Sequence, residues 1–164
     1  ELWSGKSLQL AHAEFQSHFD SIYKSASESP VVNLPALWQL GVAANDYMRL
    51  HPRVVLNCRD LDLVLLRADF VDARIIGLKL LNRLKQDPSE ITPWISKALL
   101  SKDDCEILGG LYELGQFLDY PTDPTMEIKL VAKGFVEVLK PVSNASDTDI
   151  RESANRYVEW IATF

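Results

Sequence analysis

The sequence is short of cysteine, of histidine and of long apolar runs, and each shortage excludes a class of protein. Its 164 residues include two cysteines and three histidines, in no spacing that is typical of a metal site. Cys58 and Cys105 lie among apolar residues at helical spacing, so we expect two buried, reduced thiols and an intracellular location in the cytoplasm or nucleus. No apolar run is long enough to cross a bilayer, so we predict no membrane span.

Motifs for catalysis and for cofactor binding are also lacking. The sequence contains no Gly-rich phosphate loop, and Asp103 and Asp104 are better explained as helix caps than as a catalytic pair. His12 and His18 are six residues apart and share no helical face, and His18 belongs to an apolar stripe in which we expect it to be packed. We predict no enzyme and no cofactor, and the catalytic alternative is a helical enzyme that uses His18 or His51.

The charge is acidic overall but unevenly distributed. The net charge of −6 disfavours nucleic-acid binding as the main function, yet residues 49–85 carry eight basic side chains against four acidic ones. Arginine suits contacts with carboxylates or phosphates, so four arginines of this segment are candidates for the rim of a partner site. These candidates are Arg49, Arg53, Arg59 and Arg67. The alternative is that they are solvated or pair with Asp60, Asp62, Asp69 and Asp72.

Apolar residues recur at three- and four-residue steps along most of the chain, which predicts an all-α protein. The stretch 69–85 has an apolar face and a second apolar flank, so we expect this helix to be sandwiched between neighbours. Capping residues followed by proline indicate where several helices begin. Examples are Asn33-x-Pro35, Thr92-Pro93 and Asp123-Pro124. The eight predicted helices span residues 7–25, 34–50, 57–68, 69–85, 92–100, 102–118, 124–140 and 149–162.

The predicted helix 102–118 is apolar on nearly every side, which suggests that it is the most buried element. Glu106, Glu113 and Gln116 alone mark an outer edge. Its glycines, at positions 109, 110 and 115, cost up to about 1 kcal/mol each in helix propensity. We therefore expect them where another backbone approaches closely.

A weak internal repeat favours a row of hairpins over a closed bundle. An offset of 33 residues places Gly77-Leu78 on Gly110-Leu111, and 150–154 can be placed on 73–77. The shared pattern is a small or branched residue, then Arg, then a small residue three places after the Arg. This pattern resembles the second helix of a HEAT-type repeat. In the copy at 106–110, Ile107 replaces the arginine.

The resemblance implies a short right-handed α-α superhelix of about four antiparallel hairpins, and an irregular helical bundle is the alternative. The hairpins would span residues 7–50, 57–87, 92–118 and 124–162. We expect residues 1–164 to form one repeat-like domain, excised from a longer protein because the chain begins at Glu1 rather than Met.

Stacked helical repeats offer wide, rigid surfaces, so we predict a non-catalytic scaffold that binds another protein within a larger assembly. Trp160 and Phe164 form either a last core layer or an end on which further repeats of the same chain would pack. A helical module that touches nucleic acid through residues 49–85 is the alternative function.

Overall fold

The computed structural model describes residues 5–84 and 87–164, with side chains from residue 8 onward. Within these ranges the regular structure is helical and includes no strand, which confirms the all-α prediction. The helices are α1 (Gly5–Ser27), α2 (Leu34–Leu50), α3 (Leu61–Leu66), α4 (Val71–Leu84), α5 (Pro88–Leu99), α6 (Asp104–Leu118), α7 (Met126–Gly134), α8 (Val136–Val142) and α9 (Thr148–Ile161).

The chain divides into two compact units, Glu1–Leu80 and Leu81–Phe164, with the boundary inside α4. In the first unit α2 packs against α1 and α3. In the second, α5 packs against α6 and α8, and α9 packs against α6, α7 and α8. Fully buried aliphatic and aromatic side chains fill both units, among them Phe19, Leu37, Leu61, Leu65, Ile95, Leu99, Leu114, Leu118 and Leu139.

Two glycines let helices of the first unit approach closely. A Cβ on Gly77 would lie 2.8 Å from the backbone nitrogen of Leu66 and 2.9 Å from the carbonyl oxygen of Asp62. A Cβ on Gly41 would lie 2.7 Å from a methyl group of Leu65. Real Cβ atoms do not sit at such distances, so the contact of α4 with α3 depends on the missing side chain of Gly77.

The third helix is shorter than predicted. It begins at Leu61 rather than at residue 57, because the backbone of Asn57 is held by Gln16 of α1. The amide of that side chain donates to the carbonyl of Asn57 at 2.9 Å and accepts from its N–H at 2.8 Å. Arg59 then adopts φ 53°, which interrupts a right-handed helix.

At three of the predicted helix starts, the structure caps the helix with a residue other than the one that the prediction implied. α5 begins at Pro88, since the carboxylate of Asp87 accepts from the N–H of Ser89 at 2.9 Å; Thr92 and Pro93 lie inside the helix. α7 begins after Thr125 rather than Asp123. α9 begins after Asp147, one residue before the predicted start.

The helices α1, α4 and α6 each begin two residues from their predicted starts. α2 has the predicted bounds, but the side chain of Asn33 donates to the carbonyl of Ala26 at 3.2 Å and does not cap the helix. The predicted helix 124–140 is two helices that meet at Gly134–Phe135, so the described residues form nine helices and not eight. Pro141 lies inside α8 and does not end it. The predicted end of the fourth helix, at residues 85–86, lies outside the described residues.

Of the three residues predicted to mark the outer edge of α6, Gln116 is exposed, but Glu106 and Glu113 are buried. Glu106 and Glu113 are 7% and 5% exposed, whereas Leu108 and Tyr112 are 39% and 58% exposed. The buried carboxylates have partners, since Ser101 Oγ donates to Glu106 at 2.6 Å and Asn82 Nδ2 donates to Glu113 at 2.7 Å. Hydrogen bonding therefore offsets the cost of burying these two polar groups.

The cysteines differ in burial, contrary to the expectation that both are buried. Cys58 is 2% exposed, and Cys105 lies on the outer face of α6. Burial, with a smaller contribution from the charge of Asp62, raises the pKa of the Cys58 thiol to about 12. The reactive thiolate of Cys58 is therefore scarce at neutral pH as well as inaccessible.

We expect a chromogenic disulfide reagent such as DTNB to modify one thiol per chain in the native protein and two in denaturant. Cys105→Ala should abolish the fast native reaction, because the remaining thiol is buried. Cys58→Ala should preserve it. Fast reaction of two thiols in the native wild-type protein would contradict the burial of Cys58.

Candidate functional site

A groove of about 450 Å³ lies between α5 and α7. The helix α5 packs against α8. The helix α7 packs against α8 and α9, so the groove lies between two helices that share α8 as a neighbour. We call it the α5–α7 groove. Its walls are formed by Pro88, Ser89, Thr92, Pro93, Ser96, Leu130, Val131, Gly134 and Phe135.

The α5 wall of the groove is polar but uncharged. Ser89, Thr92 and Ser96 follow one another at three- and four-residue steps, so their hydroxyls share one helical face. Pro93 has no N–H and cannot donate to the carbonyl of Ser89, four residues earlier. This wall therefore carries hydroxyl groups together with the rings of Pro88 and Pro93, and the carbonyl of Ser89 cannot make its usual helical hydrogen bond.

The α7 wall is apolar and partly open. Leu130 is 65% exposed, Val131 is half-buried and Phe135 is buried at the end of the helix. Gly134 is exposed, and a Cβ built on it would meet no atom within 4 Å. One apolar wall and one hydrogen-bonding wall can bind a peptide segment, because such a segment offers apolar side chains and backbone polar groups together.

The predicted helix bounds do not reveal this groove. With a helix start at Thr92, the residues Ser89 and Thr92 were not assigned to one helical face. Asp87-Pro88 is a cap followed by a proline, as is Thr92-Pro93, and a start at Asp87 would have placed the hydroxyls on one face. Gly134 lies inside the continuous helix predicted at 124–140, so the prediction does not mark it as part of a groove wall.

The four predicted arginines all belong to the first unit. Arg49 contacts Asp46 at 3.5 Å, and Arg59 contacts Asp20 at 3.5 Å. Both pairs are exposed to solvent, so each contributes little to stability but offsets part of the local positive charge. Arg53, after α2, and Arg67, the C-cap of α3, are exposed. As partner contacts, these arginines remain a prediction.

Trp160 and Phe164 belong to an aromatic cluster in the second unit. The ring of Trp160 lies 4.8 Å from that of Phe164 and 5.1 Å from that of Tyr120, measured between centroids. Tyr120 also contacts Tyr157. Trp160 and Phe164 are half-buried, so they pack on the unit and keep part of their surface accessible. Their role as partner contacts remains a prediction.

A second cavity, of about 440 Å³, lies between α1 and the end of α2. His18 lines it but is exposed rather than packed, which corrects our expectation for this residue. His51 belongs to a cluster in which Nδ1 of His12 hydrogen-bonds the hydroxyl of Tyr47, and burial raises the pKa of Tyr47. Among the described residues, no group of three His, Cys, Asp or Glu is placed to hold a metal ion.

Comparison with known proteins finds no family model, no curated protein and no solved structure that matches the chain. Of the helices that the structure describes, none combines the length and the apolar character needed to cross a membrane.

Proposed function

We propose that the chain is a non-catalytic scaffold that binds another protein, and that the α5–α7 groove holds a segment of this partner. The observation that carries the proposal is the pairing of the two walls, with hydroxyls on α5 facing apolar side chains on α7. The groove lining has no ionisable side chain that would suit acid–base chemistry. A short, uncharged peptide segment with apolar side chains fits this lining.

We further propose that the helices form HEAT-like hairpins. Two arginines that the sequence placed in equivalent positions make the same contact, which supports this proposal. Nη1 of Arg74 donates to the carbonyl of Ala68 at 2.8 Å, and Nη1 of Arg151 donates to that of Ala145 at 2.9 Å. Each carbonyl lies six residues before its arginine. The residues three places after the arginines, Gly77 and Ala154, are both buried.

Blocking the groove tests the partner site. We expect peptides selected from a random phage-displayed library on the full chain to bind Gly134→Ala as they bind the wild type. Gly134→Trp should weaken the same peptides by about tenfold or more, about 1.4 kcal/mol. A Cβ at Gly134 meets no atom within 4 Å, so a side chain can leave the backbone there without a clash, and lost binding would report occlusion of the groove.

Circular dichroism of the two variants serves as the folding control. Selected peptides that bind Gly134→Trp as tightly as the wild type would refute the groove as the partner site. A selection that yields no binder would refute it as well.

Nucleic-acid binding through residues 49–85 is the competing function. It would show in fluorescence polarisation with DNA and RNA at two salt concentrations, because phosphate contacts weaken steeply as salt rises. The ion pairs of Arg49 and Arg59 reduce the positive charge available for such contacts. We expect no binding at either salt concentration.

A further inference from the structure

The turn between α1 and α2 carries two adjacent valines that are almost fully exposed. Val31 and Val32 are 88% and 80% exposed, and they follow Pro30. The N–H of Asn33 closes the turn by donating to the carbonyl of Ser29 at 3.0 Å. We call Pro30, Val31 and Val32 the α1–α2 tip. Burial of the two valines against a partner would remove apolar surface from water, which favours association.

The backbone of the tip has donors that nothing in its own chain uses. Pro30 has no N–H, and the N–H groups of Val31 and Val32 donate to no residue that the structure describes. On the α5 wall of the α5–α7 groove, the hydroxyls of Thr92 and Ser96 also lack a hydrogen-bond partner within the described chain. A hydroxyl accepts from an N–H, so these groups can pair. The tip therefore offers donors to one wall of the groove and valine side chains to the other.

We propose that the α1–α2 tip of a second copy of this chain occupies the α5–α7 groove. This pairing rests on the proposed function, since it needs a groove that is open to a protein segment. The tip belongs to the first unit and the groove to the second, so each copy can give one tip and receive one. Such an interface is heterologous and joins copies head to tail, into rings or open chains. An outside partner would have to displace the tip.

Other exposed apolar side chains suit the groove less well. Val55 is as exposed as Val31, but it stands alone, because Val54 is half-buried and Leu56 is buried. The ring of Phe70 packs against Trp38 of its own unit. Most of the others lie on helices, whose backbone N–H groups are bonded within the helix. Among the described residues, the tip thus combines two adjacent exposed side chains with unpaired donors.

The pairing forces no like charges together. The groove lining is uncharged, and the charged residue nearest to the tip, Glu28, lies two positions before Pro30. Exposed charges of both signs flank the groove. They include Asp87 and Glu90 near the start of α5, Lys97 near its end, and Lys133 on α7. Lysines therefore lie within the surroundings of the groove to which Glu28 can be turned, and the tip itself carries no charge into the lining.

Complementation between two variants tests this pairing. Val31→Asp combined with Val32→Asp destroys the tip and keeps the groove, whereas Gly134→Trp blocks the groove and keeps the tip. We expect sedimentation velocity to show that the wild type self-associates as its concentration rises. Each variant alone should raise the dissociation constant about tenfold or more. An equimolar mixture should form a 1:1 dimer, because it still contains one intact tip and one intact groove that can meet.

Matched variants serve as controls. Val55→Asp changes an equally exposed valine outside the tip and should self-associate as the wild type does. Leu130→Glu, on the α7 wall, is a second groove variant that should behave as Gly134→Trp does. Leu108→Glu is its counterpart outside the groove and should have no effect. Circular dichroism of each variant checks the fold.

A wild type that stays monomeric at the highest attainable concentration would overturn the inference. So would self-association that both groove variants leave unchanged, or a mixture with no more dimer than the separate variants. The proposed function fails separately, through library peptides that bind Gly134→Trp as tightly as the wild type. A monomeric wild type whose peptides are lost in Gly134→Trp would refute the tip as the occupant and keep the groove as the partner site.

Discussion

Gly77→Ala should lower the free energy of unfolding, although alanine is the better helix former. Replacing a helical glycine by alanine gains about 1 kcal/mol of propensity. At position 77 the added methyl group would meet the backbone of α3, at the nitrogen of Leu66 and the oxygen of Asp62. Backbone cannot rotate away as a side-chain end can, and overpacking costs typically about 1–3 kcal/mol, occasionally more. Contact with backbone places the cost in the upper part of this range, so after the gain in propensity we expect a net loss of about 1–2 kcal/mol in urea unfolding followed by circular dichroism.

Two other glycines make a graded control series. At Gly41 the nearest atoms are the methyl ends of Leu65 and Ile76, which can shift, so Gly41→Ala should cost less than Gly77→Ala. At Gly134 nothing lies within 4 Å, so Gly134→Ala should be neutral or stabilising by up to about 1 kcal/mol. Equal stability of the Gly77 and Gly134 variants would show that α3 and α4 do not approach as described.

The sequence predicted the helices well where one start signal stood alone. α2 has the predicted bounds because Pro35, in its first turn, had no nearby competitor and His51-Pro52 ended the helix, although the side chain of Asn33 does not cap it. α5 was placed wrongly because Asp87-Pro88 and Thr92-Pro93 are equivalent signals. Which of them starts the helix depends on the packing of its whole length against α6 and α8, and local propensity does not contain that information.

The exposed face of α6 could not be predicted, because the cause lies in other elements. Because Glu106 and Glu113 are charged, the sequence predicts that they lie on the surface. The hydrogen bond that allows the burial of Glu113 comes from Asn82, at the end of α4. Periodicity measures one helix at a time and cannot detect a partner 31 residues away in the sequence. The groove was missed for a related reason, since one of its walls belongs to a second helix.

The burial of the two cysteines also depends on elements that are distant in the sequence, and the difference in burial leads to a prediction about pH. Cys58 and Cys105 had equivalent apolar neighbours in sequence, but only Cys58 is enclosed by the first unit. Because its pKa in the folded protein, about 12, exceeds its ordinary value of 9.0, the folded state holds the neutral thiol where the unfolded chain ionises. The contribution of Cys58 to stability is therefore fully present below pH 9 and is lost as the pH rises toward 12.

The loss should amount to about 1.4 kcal/mol per pH unit within this window, or about 4 kcal/mol across all of it. We expect the difference in unfolding free energy between the wild type and Cys58→Ala, measured in urea under reducing conditions, to be constant from pH 7 to 8. Above pH 9 it should fall steadily. Tyr23, Tyr47 and Tyr157 also have raised pKa values, but both proteins contain them and their contributions cancel in the difference. A difference that stayed constant up to pH 11 would mean that water reaches the Cys58 thiol in the folded protein.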